Sequence, residues 1–159
     1  MSNKPSFPST RMRRNRMKNF SRKLISENFL NVNDLIWPLF VKEGSGSKEE
    51  VTSMPGVYRN SIDELVKKAE TAVTLGIPAI AIFPQVDSAL KNSKGSEAIN
   101  ENNLVCRSIK AVKKEFPELG IITDVALDPF TDHGHDGLLV NNEINNDETL
   151  KILAQQSLV

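Results

Sequence analysis

From Leu35 onward, short apolar runs alternate with stretches whose apolar residues recur every three or four positions. DLIWPLFV, residues 34–41, reads as a first strand, and Pro38 argues against a central place for it because proline has no N–H to give to a ladder. SIDELVKKAETAVTLG, residues 61–76, reads as a helix with Ile62, Leu65, Val66, Ala69 and Val73 on one face. Ser61 is its expected N-cap, Glu64 the capping-box partner and Gly76 the stop. AIAIFP, residues 79–84, is apolar without alternation, the pattern of a strand covered on both faces of a parallel sheet. After a loop containing KNSKGSEA, a second helix places Val105, Ile109, Val112 and Phe116 inward and ends at Pro117. GIITDVAL, residues 120–127, is the third strand. NDETLKILAQQSLV then opens a third helix, with Asn146 as cap and acids in the first turn, where they suit the helix dipole.

Strand and helix in strict alternation imply an α/β fold of right-handed βαβ units, with no internal repeat. At 159 residues the chain has the size of about one domain. Three parallel strands cannot cover themselves, and the last helix reaches Val159 without a stop signal, so the expectation is a C-terminally truncated piece of a larger α/β domain.

Composition changes the picture in one place. With 39% hydrophobic and 25% charged residues and a net charge of zero, the chain is an ordinary globular sequence whose overall charge selects no partner. That balance hides a basic arm: residues 1–26 hold Lys4, Arg11, Arg13, Arg14, Arg16, Lys18, Arg22 and Lys23, with no acid before Glu27. Three readings compete for it: a nucleic-acid arm, an organelle transit peptide and an arm that docks on another subunit. Within residues 11–23, where a nucleic-acid contact would fall, Phe20 alone offers a stacking platform, which disfavours nucleic acid. Cys106, the single cysteine, lies on the inner stripe of the second helix and reads as a core thiol in a reducing, cytoplasmic setting. No apolar run approaches the ~18 residues of a membrane span, and none follows the basic arm as in a secretory signal.

The chemistry is concentrated in DVALDPFTDHGHDG, residues 124–137, which holds four aspartates and both histidines directly after the third strand. Asp124 falls within the apolar run, where a carboxylate has to be paired or kept neutral, so structural and catalytic roles both stay open. Pro129 and Gly134 allow the loop to turn back and bring Asp128 and Asp136 toward one point, an oxygen pair suited to a hard cation such as magnesium. His133 and His135 keep a nitrogen-ligand site conceivable, although HxH in a glycine-containing loop is a weak signal.

ITDVALDPFTDHGHDG resembles the third-strand segment of the 5-aminolevulinate dehydratase (porphobilinogen synthase) family, and the resemblance runs through nearly the whole chain. RMRRN and FSRKLISEN resemble the family's N-terminal arm, NDLIWPLFV its first barrel strand and MPGVYR the turn before its first helix. GIPAIAIFP resembles its second strand, GSEA the following loop, and NDETL the start of the helix after the long loop.

The resemblance implies a TIM (β/α)8 barrel, of which residues 34–159 supply about the first three β/α units after a basic arm at residues 1–33. It implies a lyase that condenses two 5-aminolevulinate molecules to porphobilinogen with loss of two waters, in tetrapyrrole (heme) biosynthesis. The substrates are held as Schiff bases on two lysines of later strands. Neither lysine is in this chain, Lys42 in its polar turn is no substitute, and the 159 residues alone are expected to be inactive. Asp124 matches the family's active-site aspartate. Zinc-binding members carry three cysteines where this chain has Ala126, Asp128 and Asp136, which implies the aspartate-containing, magnesium-responsive branch with no zinc. Asp128 and Asp136 are taken first as substrate-binding residues and second as ligands of a cation, monovalent or Mg2+, with the family's magnesium commonly held elsewhere. A homo-oligomer, octamer-like and assembled through the arm, is implied as well. The alternatives are a non-catalytic remnant that docks on an intact barrel and, from another class, a nucleic-acid binder acting through residues 11–23.

Overall fold

The computed structural model describes residues 5–159, so Lys4, the first cation of the basic run, lies outside the described residues. The chain divides after Asn31 into two units. In the first, two short helices, α1 (Arg14–Met17) and α2 (Asn19–Leu24), carry Arg14, Arg16, Arg22 and Lys23 of the basic run. Neither has a side-chain cap.

The second unit, Val32–Val159, begins with β1 (Ile36–Lys42), β2 (Lys48–Glu50), β3 (Tyr58–Asn60) and α3 (Ile62–Thr74). It continues through β4 (Ala79–Gln85), α4 (Leu104–Glu115), β5 (Gly120–Thr123), a small hairpin of β6 (Leu139–Val140) and β7 (Glu143–Ile144), and α5 (Asn146–Gln156). Five strands form one sheet in the order β2-β3-β1-β4-β5. β1, β4 and β5 run parallel, with Ile36 opposite Ala79, Lys42 opposite Gln85, and Ala79 opposite Gly120.

The three expected strands and helices are present, and the differences have local causes. β2 and β3 are too short and polar to show in the hydrophobic pattern; β3 pairs parallel to β1, and β2 antiparallel to β3. Pro38 is accommodated although β1 has neighbours on both sides, because β3 pairs only at Phe40 and Val41. No strand lies beside Pro38 on that side to require its missing N–H. β1 is thus the middle strand despite Pro38, and β4 is interior between β1 and β5, but only Ile80 and Ile82 of β4 are buried, while Ala79, Ala81 and Phe83 on the other face are partly exposed. Covering on both faces is therefore not met within the described residues.

The core lies between the sheet and the two helices. Leu39 and Val41 of β1 and Ile80 and Ile82 of β4 meet Leu65, Ala69 and Ala72 of α3 and Leu104 and Val112 of α4. α3 starts at Ser61, but the capping box is not formed. The Ser61 hydroxyl accepts from Ser47 N–H and donates to its carbonyl, tying the helix to the loop before β2, while Glu64 pairs with Lys48 and Lys67. The helix closes as the sequence implies: Gly76 N–H reaches Val73 O and Ile77 N–H reaches Ala72 O, the paired bonds of a Schellman stop. Cys106 is a buried free thiol on α4, whose N-cap Asn103 accepts from Cys106 N–H. α5 is capped by Asn145, one residue earlier than expected, whose side chain accepts from Glu148 N–H. Among the described residues no helix is long and apolar enough to cross a membrane.

Candidate functional site

Because β1, β4 and β5 are parallel, the loops after Lys42, Gln85 and Thr123 leave from the same end of the sheet. A groove of about 570 Å³ opens along this rim, lined by Lys42, Gln85, Ser88 and Lys91 among others. Lys42 is half-buried and ion-paired with Glu49, which also holds Arg59.

β5 is shorter than the apolar run implied. It ends at Thr123, so Asp124 stands just past the strand, exposed, rather than inside the sheet, and the anticipated need to pair or neutralise a buried carboxylate does not arise. The chain then turns inward. Ala126, Leu127 and Phe130 are buried, and Leu127 and Phe130 join Val86 and Ala98 in a second small core, flanked by Ile152 and Leu153 of α5. The apolar residues of DVALDPF thus serve as the floor on which the aspartates are mounted.

Several hydrogen bonds close the loop over that floor. Asp136 Oδ1 accepts from Leu127 N–H at 2.7 Å across nine residues of sequence, and Thr131, almost fully buried, donates its hydroxyl to His135 O at 2.9 Å. Asn92 bridges from the preceding loop, its N–H to Phe130 O and its carbonyl accepting from Asp132 N–H. Gln156, the last residue of α5, donates to Ala126 O at 3.1 Å.

The result is a concentration of negative charge. The Asp128 carboxyl is held above its ordinary value first by partial loss of water and then by Asp136, with Asp124 adding to the effect. Its own backbone N–H and the Lys91 ammonium act in the opposite sense. Asp128 therefore feels the charges of both Asp136 and Asp124. Yet among the described residues no group of three or more His, Cys, Asp or Glu side chains is arranged to hold a metal ion. The histidines do not converge as ligands. His133 Nδ1 accepts from His135 N–H at 3.2 Å, its Nε2 is buried without a partner, and the two rings lie 5.5 Å apart and tilted.

Lys91, Asn92 and Gln156 were missed by the sequence reading. Asn92 had a signal in the Asn-Ser-Lys-Gly turn, whereas Gln156 had none, since a glutamine at the end of an amphipathic helix looks like any surface residue.

Comparison with known proteins gives a consistent result. Residues 9–159 match the family model described as delta-aminolevulinic acid dehydratase. The chain is 54% identical over 149 residues to the delta-aminolevulinic acid dehydratase of Bradyrhizobium diazoefficiens, covering 94% of this chain and 42% of that protein. It is 46% identical over 144 residues to the Chlamydia pneumoniae protein of the same name, covering 91% and 43%. The crystal structure of the Toxoplasma gondii ME49 enzyme in complex with the reaction product porphobilinogen superposes with a TM-score of 0.88 at 38% identity, over 94% of this chain and 43% of that one. The chain thus spans under half the length of these relatives. With most of its arm, its parallel strands and its aspartate loop inside the matched region, the chain belongs to the delta-aminolevulinic acid dehydratase family.

Proposed function

We propose that this chain is the N-terminal part of a porphobilinogen synthase, supplying the first three β/α units of a TIM barrel and one wall of its active site. The observation that carries the reading is the gathering of Asp124, Asp128 and Asp136 just past the carboxyl end of β5, where α/β barrels place their chemistry. The substrate is 5-aminolevulinate and the product porphobilinogen, the compound bound in the Toxoplasma gondii relative.

Asp124 is the catalytic residue of this segment. It is exposed at the rim, free of any hydrogen bond or ion pair among the described residues, and thus able to move a proton at a substrate amine or hydroxyl. By the family resemblance, two lysines on later strands hold the substrates as Schiff bases, and such amines need a lowered pKa to react. A nearby carboxylate balances the iminium charge as it forms. Asp128 and Asp136 line the same site and orient substrate.

The donor set suits a hard cation. Two carboxylates that repel each other gain from a positive charge between them, and their oxygens are the ligands that magnesium or a monovalent ion prefers. Zinc does not fit as well, because Ala126 offers no donor where zinc-binding members carry a thiolate. Asp128 and Asp136 would hold such an ion, which would supply charge stabilisation. These carboxylates support assignment to the aspartate-containing, magnesium-responsive branch. The basic arm is assigned to subunit docking in a homo-oligomer, and the buried free Cys106 suits a reducing cytoplasm.

The test is a hybrid in which this chain replaces the matching 42% of the Bradyrhizobium diazoefficiens enzyme. In that hybrid Asp124→Asn is expected to lower kcat by about 10²- to 10⁴-fold with little change in thermal stability. A folded variant with undiminished turnover would assign Asp124 to structure.

A further inference from the structure

The peptide group joining Ala126 to Leu127 is held from both ends. Its carbonyl accepts from Gln156 Nε2 at 3.1 Å, and its N–H donates to Asp136 Oδ1 at 2.7 Å. Both flanking side chains are buried, Ala126 at 7% exposure and Leu127 at 0%, so the peptide group itself is shielded, while Asp136 stays exposed. The orientation of the Gln156 amide follows from its partner: only the NH2 group can face a carbonyl oxygen, which leaves Oε1 buried and unpartnered. Gln156 gives up an acceptor's bond to keep this one donor bond.

We propose that Gln156 is a positioning residue for Asp136, acting through the Ala126–Leu127 peptide group. A donor at a peptide carbonyl polarises the group and strengthens the bond its N–H makes, by about 10–30% per bond. The same donor fixes the rotation of the peptide plane, and with it the direction of the Leu127 N–H that pins one carboxylate oxygen of Asp136. Asp136 is left with its second oxygen to turn toward Asp128, substrate or a cation. Gln156 closes α5, which packs through Ile152 and Leu153 on the floor of the loop, so the set of the carboxylate is tied to the seating of a helix 30 residues away along the chain from Ala126. The functional half of this inference rests on the assignment of Asp136 to the active site; the structural half does not.

The two halves are separately measurable. In the isotopically labelled 159-residue chain, a through-hydrogen-bond scalar coupling between Leu127 15N and Asp136 13Cγ is expected by NMR, and its absence in the unsubstituted protein would overturn the proposal even if every Gln156 variant failed to fold. Gln156→Met keeps length and removes the donor. It is expected to weaken that coupling and move the Leu127 amide proton upfield, whereas Ser108→Ala, which deletes a buried hydroxyl bonded to Leu104 O within α4, leaves both unchanged. If Gln156 only fastens α5, Gln156→Met lowers stability with the coupling intact, and the relay is refuted. In the hybrid enzyme, Gln156→Met is expected to lower kcat about 10-fold with a smaller change in KM, as a displaced active-site group does. A lost coupling with unchanged turnover would refute the role in the reaction while leaving the relay in place.

Discussion

Gly137, the residue after Asp136, is where the aspartate loop passes closest to its support. Its φ is +155°, and a Cβ built there lies 2.7 Å from Ile144 Cγ2, 3.1 Å from Thr149 Oγ1 and 3.5 Å from Thr149 Cγ2. Neither neighbour can withdraw cheaply. Cγ2 is the branch methyl of Ile144, so moving it means turning the whole side chain, and Thr149 Oγ1 already accepts from Leu138 N–H at 2.9 Å and donates to Asn145 O at 2.7 Å. Gly137→Ala therefore carries an overpacking cost of about 1–3 kcal/mol and a backbone cost of about 1–3 kcal/mol, together about 4 kcal/mol. Gly134 provides the control within the same loop: at φ +72° it has nothing within 4 Å of a built Cβ. Gly134→Ala should cost only the left-handed backbone term, about 1–2 kcal/mol. For a unit of this size 1 kcal/mol is worth about 4 °C in Tm, so Gly137→Ala should melt about 10 °C below Gly134→Ala. Thermal and urea unfolding of the 159-residue chain, followed by circular dichroism, measures the difference. Equal melting temperatures would mean that the loop is not seated on β7 and α5 as described.

Two further outcomes follow from the same geometry. Asp128, raised by lost hydration and by Asp136 and Asp124, binds its proton more tightly folded than unfolded. Its contribution to stability is thus full below its ordinary pKa near 3.8 and lost as pH rises through the raised value. Asp128→Asn should flatten that part of the stability profile and be more stable than the parent at neutral pH; urea midpoints across the acid range test this, and a less stable variant at neutral pH contradicts it. Glu49, Asp63 and Glu64, held low chiefly by hydrogen bonds from Lys42, Ser61 and Lys67 respectively, act in the opposite sense, but they are common to both proteins and cancel in the comparison. Asn145→Ala should destabilise by about 1 kcal/mol through loss of the α5 cap, while Asn146→Ala stays within about 0.5 kcal/mol. Equal effects on the urea midpoint would return the cap to Asn146.

The long periodic elements were readable in the sequence because burial writes itself as period. Leu65 and Ala69 recur at helical spacing and do face the sheet, with Ile62 and Val66 packed beside them, whereas Val73, expected on the same face, is exposed and Ala72 is buried instead; the apolar run at residues 79–84 is an interior strand. The short strands β2 and β3 left no such trace, since Lys-Glu-Glu and Tyr-Arg-Asn are placed by pairing rather than by burial. Ser61 illustrates a local rule overridden by tertiary contact: the capping-box pattern is present, but a bond to Ser47 competes for the hydroxyl and lysines compete for Glu64. At the site, the concentration of aspartates was visible, whereas the exposure of Asp124 was not. An apolar run does not say where a strand stops, and here Ala126 and Leu127 are buried by the loop's own small core instead of by the sheet. Lys91 and Gln156 act at a distance in sequence, from a neighbouring loop and a helix end, and no spacing rule reports such contacts.

Porphobilinogen formation by the unsubstituted hybrid tests the proposed function most directly. With this chain in place of the matching 42% of the Bradyrhizobium diazoefficiens enzyme, and 54% identity across the exchanged region, the hybrid should fold and convert 5-aminolevulinate to porphobilinogen, supported by magnesium or a monovalent cation and with no need for zinc. A folded, assembled hybrid that makes no porphobilinogen under any of these ions would show that residues 1–159 do not form a working wall of this active site.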